Sequence, residues 1–146
     1  VEIFPEKEKK LLIHDENSVI GLGWTHNLNN SGVWTEGNEA NIIFKFKNYE
    51  FKDYTLRFKI KSVMTNNTDK LDAQIKFDGG LVKKLIFDRF TNQDNQFIDI
   101  TIKKEDLKSE FHKIDFVIKN PVSPVSLLES PDGRSLGILV ESIKII

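Results

Sequence analysis

The chain has 146 residues, 39% of them hydrophobic and 29% charged, with 21 basic against 22 acidic side chains and a formal net charge of −1. That length predicts one domain over residues 1–146, able to bury roughly two-thirds of its unfolded surface without a staple, and the scattered, balanced charge argues against a nucleic acid partner. Cysteine is absent, which removes disulfides, thiolate nucleophiles and Cys-based zinc sites, and no apolar run reaches the ~18 residues of a membrane span.

Taken in chain order, the first informative stretch is rich in Gly and Asn. Gly21-Leu22-Gly23-Trp24 is followed ten residues on by Val33-Trp34-Thr35-Glu36-Gly37. Period-2 alternation starts immediately afterwards, with Ile42, Phe44 and Phe46 on one phase. The cleanest segment is Tyr54-Thr55-Leu56-Arg57-Phe58-Lys59-Ile60-Lys61. Successive strand side chains point to opposite faces, so this is a strand with one buried and one wet side. Asn66-Asn67-Thr68-Asp69 reads as a polar loop, and Ala73, Ile75 and Phe77 form the next apolar row. Asp78-Gly79-Gly80 predicts a tight hairpin. A second polar loop at Asn92-Gln93-Asp94-Asn95 leads into the row Ile98, Ile100, Ile102. Lys104 to Ser109 is the one place a short helical turn is expected, before the row Ile114, Phe116, Ile118. Pro121 and Pro124 bound a loop excluded from any central strand, and Ser130-Pro131-Asp132-Gly133 is a further turn.

The last segment changes phase: Ile138 and Val140 share one row, Ile143 and Ile145 the other. A one-residue slip reverses the faces of a strand, so a bulge near Glu141-Ser142 is predicted to keep all four inward. Eight or nine short strands at this spacing fit a sandwich or a barrel. Loops long enough to cross between sheets favour an all-β, two-sheet antiparallel β-sandwich of jelly-roll type.

The polar residues form no recognisable catalytic set. His14, His26 and His112 have no metal-ligand spacing and read as surface or loop histidines. Glu36, Glu39 and Asp132 read as solvated loop carboxylates rather than a glycosidase pair. Ser130 and Ser135 lack a nucleophile elbow, and no phosphate-binding glycine loop occurs. The chain is read as not an enzyme and as needing no cofactor and no metal. Asp69, Asp88 and Asp94 are loose calcium candidates without ligand spacing, and the Asn-x-Ser/Thr matches at Asn29 and Asn66 are attributed to chance. The two tryptophans remain the main clue. An aromatic face can stack on the C–H face of a sugar while neighbouring polar groups bind its hydroxyls; equally, either ring can cap the core.

Gly23-Trp24, then Gly32 to Ala40, then a C-terminal Ser123-Pro124 followed by Asp132-Gly133-Arg134-Ser135-Leu136-Gly137-Ile138 together resemble a β-sandwich domain appended to bacterial glycosyltransferases and other surface-polysaccharide assembly proteins. The resemblance spans roughly residues 20 to 146. It implies a non-catalytic carbohydrate-binding module of a lipopolysaccharide or capsule biosynthesis protein, with a bacterial glycan and a neighbouring catalytic domain as partners. The carbohydrate-binding candidates are Trp24, Trp34, Glu36, Asp132 and Arg134. Arg134 either presents its donors to an acidic sugar or ties its own loop to backbone or to Glu36. The first and last motifs are expected to meet in space. The alternative is a structural domain that packs on a neighbouring glycosyltransferase or mediates oligomerisation without touching sugar. A start at Val1 reads as a module of a larger protein, cytoplasmic with its parent, with a cell-surface or periplasmic location left open.

Overall fold

The computed structural model describes residues 9–10, 14–15, 18–25, 33–45, 50–62, 70–88, 96–122 and 135–146. Eleven strands run through them: β1 (Lys9–Lys10), β2 (His14–Asp15), β3 (Ser18–Ile20), β4 (Val33–Glu36), β5 (Glu39–Phe44), β6 (Tyr54–Ser62), β7 (Lys70–Phe77), β8 (Gly80–Asp88), β9 (Gln96–Ile102), β10 (His112–Ile118) and β11 (Leu136–Ile145). Eight of them have four residues or more. One sheet has the order β1-β11-β6-β9, with β4 also on β11; the other has the order β2-β3-β5-β10-β7-β8. Every pairing is antiparallel. The all-β sandwich read from the alternation is the fold observed, and it has no α-helix among the described residues. No described helix is long and apolar enough to cross a membrane.

The alternating rows become the two inner faces. Leu56, Phe58 and Ile60 of β6 face Ile42, Phe44, Ile75, Ile114, Phe116 and Ile118 of the second sheet in one core cluster. Phe58 and Phe116 meet edge-to-face with centroids 5.8 Å apart across the interior. Burial of such apolar area drives the fold, at roughly 1.5–3 kcal/mol for each large side chain removed from water.

Three local expectations are met. The ladder between β11 and β6 shifts register between Val140 and Ser142, so Glu141 is the extra residue. Ile138, Val140 and Ile143 are consequently all fully buried. The β7–β8 hairpin closes on the two residues Asp78 and Gly79, both at positive φ (48° and 87°). That is the type I′ geometry for which Asp-Gly is suited. The short helical turn occupies Lys104–Asp106.

The reading of His112 as a surface residue is overturned. His112 opens β10 in the same phase as Ile114, Phe116 and Ile118, and its side chain is only 2% exposed. Its ring stacks on Phe77 (5.1 Å) and lies 5.7 Å from Phe44. Nδ1 is 2.8 Å from Asp78 Oδ2. A buried polar ring is tolerable because it has that partner. His14 lies on β2, while His26 falls outside the described residues.

The outward face of β6 is basic. Arg57 donates to both carboxylate oxygens of Asp99 on β9, from Nε at 2.8 Å and Nη2 at 3.0 Å, and stacks over Phe97 at 5.8 Å. The hydrogen bond from Arg57, the Arg57 charge, and the fields of Lys83 and Lys144 lower the Asp99 pKa, and the Arg57 pKa is raised in turn. Lys83 has an unusual position. It sits opposite Ile75, a core residue, so this edge-strand lysine belongs to the inward row.

Candidate functional site

The described parts of the two end motifs meet at the end of the sandwich where β4 turns into β5; Ser123 and Pro124 lie outside the described residues. On the first-motif side, Trp24 bridges Thr35. Thr25 N donates to Trp34 O (3.0 Å), and Glu36 N donates to Gly23 O (2.7 Å). Gly21 N donates to Asn41 O (2.8 Å), and Asn41 N returns to Leu22 O (3.1 Å). This close approach requires glycine. At Gly23, φ is +88°, and an added Cβ would collide with Glu39 O and come within 2.7 Å of Ala40 Cα.

On the last-motif side, Gly37 N donates to Ser135 O (2.8 Å), and Ile138 N donates to Thr35 Oγ1 (3.0 Å). Thr35 is fully buried, so its hydroxyl satisfies an inner backbone donor left by the irregular register between Leu136 and Leu139. Asn38 ties the same turn to the other sheet: Ile118 N donates to its carbonyl (2.7 Å) and its Nδ2 donates to Ile118 O (3.0 Å). Val122 exchanges two backbone hydrogen bonds with Leu136. The Thr35–Asn38 turn is thus bonded to both sheets at once.

The predicted residues separate by role here. The indole Nε1 of Trp24 donates to Asn41 O (2.8 Å), and its ring meets Phe116 edge-on at 5.7 Å. Trp24 is half-buried and turned toward the core, which is the capping alternative. Trp34 is also half-buried and touches the core cluster. Its register partner Leu139 lies opposite Lys61 on β6, so Trp34 belongs to the outward row of its sheet. Glu36, two residues along β4, is exposed, as is Glu39. Asp132 and Arg134 fall outside the described residues. So do Asn29, Asn66, Asp69 and Asp94. Asp88 ends β8. Among the described residues, no three metal-ligating side chains converge.

Thr35, Asn38 and Asn41 are the residues that residue-type reasoning passed over. They sit inside or beside the quoted motif; a Thr and an Asn in a strand–turn–strand stretch are signals of the side-chain-to-backbone ties that Thr35 and Asn38 make, whereas Asn41 bonds through its backbone.

No family model matches the chain. It is 32% identical to the mitochondrial coiled-coil domain-containing protein 90B of Mus musculus over 87 residues, 60% of this chain and 31% of that protein. The chain therefore spans about a third of that relative's length, and the described residues carry none of the helical periodicity of a coiled coil. Several solved structures share the fold. The CBM36-1 domain of a multidomain xylanase from the hindgut metagenome of Trinervitermes trinervoides superposes with a TM-score of 0.53, 15% identity, and coverage of 87% of this chain and 88% of that one. A family 35 carbohydrate-binding module from Clostridium thermocellum gives 0.53 at 13% identity, covering 95% and 97%. A two-domain esterase active on acetylated mannans gives 0.50 at 16% identity, covering 94% of this chain and 35% of its own. At these identities the likeness is one of architecture: the chain has the β-sandwich fold of carbohydrate-binding modules.

Proposed function

We propose that the chain is a non-catalytic carbohydrate-binding module. The observation that carries this reading is the half-buried Trp34 on the outward row of β4, followed by exposed Glu36, at the end where the two motifs converge. Arg134 directly precedes, and Asp132 lies three residues before, the Ser135 whose carbonyl accepts from Gly37 N, and we assign both to the same site. A partly exposed indole supplies an apolar platform, and carboxylate and guanidinium groups supply hydroxyl partners. The shared fold with carbohydrate-binding modules supports the same conclusion. In the finer form of the proposal, the module serves a bacterial surface-polysaccharide assembly protein and holds glycan beside a catalytic domain. There, even weak affinity is amplified by effective concentration.

Glycan-array screening followed by calorimetry tests the reading. Wild type is expected to bind at least one oligosaccharide, and Trp34→Ala is expected to weaken binding about tenfold with an unchanged far-UV spectrum. The competing reading is a purely structural domain, favoured by the commitment of Trp24, Thr35 and Asn38 to internal bonds. Wild type that binds no glycan at millimolar concentration would establish it.

A further inference from the structure

A groove of about 570 Å³ opens at the other end of the sandwich, within the ~300–1,000 Å³ of small-ligand sites. The hairpin contributes Phe77, Asp78, Leu81 and Val82, β9 contributes Thr101 and Ile102, and Asp106, Lys108 and Ser109 close the far side. It therefore lies between the edge strands of the two sheets. Ladder register makes Val82 the extra residue of a bulge: Leu81 pairs with Lys76 and Lys83 with Ile75. Bulges re-aim side chains, and they are over-represented beside sites. Here Val82 is half-buried against the core cluster and, with exposed Leu81, gives the groove an aliphatic floor above buried Ile102.

Asp78 is the rigid element of the groove. Its Oδ1 accepts from Lys113 N (2.8 Å), Oδ2 accepts from His112 Nδ1 (2.8 Å), and its own N donates to Lys113 O (2.8 Å). An ionised carboxylate only accepts, so His112 Nδ1 carries the proton of that bond. A third of the Asp78 side chain is still exposed, leaving lone pairs on fixed oxygens for a ligand. Such support by buried neighbours is what holds a binding group in place. Asp106, Lys108, Ser109 and Thr101 are all exposed around it.

We propose that this groove is a second glycan-contacting site and that it takes neutral sugar rings. The aliphatic floor covers a C–H face, Asp78 and Asp106 accept hydroxyl protons, and Lys108, Ser109 and Thr101 supply donors. Two carboxylates against one ammonium disfavour uronic acids. The proposal rests on the glycan reading above and adds to it a place and a charge preference.

The experiment is an amide NMR titration of the wild-type chain with xylotriose, mannopentaose and a trigalacturonate. Saturable shifts at Gly80 to Val82, Thr101 and Ser109 with a neutral oligosaccharide are expected. Asp78→Asn, which retains a turn-compatible side chain, and the exposed Asp106→Asn should each weaken binding about tenfold, as loss of a hydrogen bond to a charged acceptor does. Should Asp78→Asn fail to fold, Asp106→Asn and Lys108→Ala still decide the matter. Shifts confined to Trp34 to Gly37 would overturn the groove and leave the module a glycan binder. Trigalacturonate binding as tightly as the neutral sugars would overturn the charge argument. Silence toward all three sugars, together with an empty glycan array, would remove the glycan reading and this site with it.

Discussion

Thr35 and Gly23 show how little slack the motif end has. Thr35→Val keeps shape and burial but strips the acceptor from Ile138 N, which lies in the interior. The expected loss is about 1–3 kcal/mol of unfolding free energy in a urea titration, the cost of an orphaned buried donor. Gly23→Ala combines a left-handed backbone with collision against Glu39 and Ala40, and should cost roughly 2–5 kcal/mol. The Arg57–Asp99 pair makes a different, pH-dependent contribution. The folded pKa of Asp99 lies below its unfolded value, so the pair stabilises the fold above about pH 4 and that stability is lost as pH falls through the folded pKa. Both side chains are more than a third exposed, and solvent keeps the effect small. Asp99→Asn should therefore lower the melting temperature slightly at pH 7, and the difference from wild type should vanish in acid. An equal difference at both pH values would show that the charge is not the cause.

At the scale of elements, the bulge in β11 allows a sharp comparison. Inserting one alanine after Ser142 would turn Ile143, now fully buried, toward water. That should cost about 2–5 kcal/mol, as loss of a buried aliphatic side chain does. Deleting Glu141 would restore a regular ladder with the same inward residues, forfeit the Lys59–Glu141 pair at 3.4 Å, and leave cooperative unfolding near wild type. The legibility of elements followed the same logic. β6, β7 and β9 are readable because each alternates against water on one side, whereas β10, whose outer row holds buried Asp115 and half-buried Val117, is legible from its inner row Ile114, Phe116 and Ile118. The phase change that betrays the bulge was readable for the same reason. His112 shares the phase of Ile114, and that position rather than its polar residue type determines its burial. β1, β2 and β3 span two or three residues, too few for any period to show. β8 hides its face because the run Leu81, Val82, Leu85, Ile86, Phe87 is interrupted by a bulge. At the candidate site, the meeting of the two motifs was foreseeable from their shared signature. The inward turn of Trp24 was not, since it depends on Asn41 presenting a carbonyl across a tertiary contact.

For the whole molecule, the pairing of distant segments governs behaviour. β4 closes on β11, β5 on β10 and β6 on both β9 and β11, so little structure can form before long loops close. Refolding monitored by tryptophan fluorescence is expected in the millisecond-to-second range, as for other antiparallel sandwiches. A microsecond phase carrying most of the amplitude would contradict the topology. The groove and the motif end lie at opposite poles of this body, so variants at one pole should leave ligand shifts at the other unaltered.

Lys83 gives the sandwich a social consequence. Its ammonium hangs from the row that otherwise feeds the interior, at the rim where a neighbouring molecule could add a strand, and joining would strand that charge in a dry seam. With Lys83→Val the rim would become greasy and welcoming, and light scattering should find larger assemblies than the natural chain forms at the same concentration.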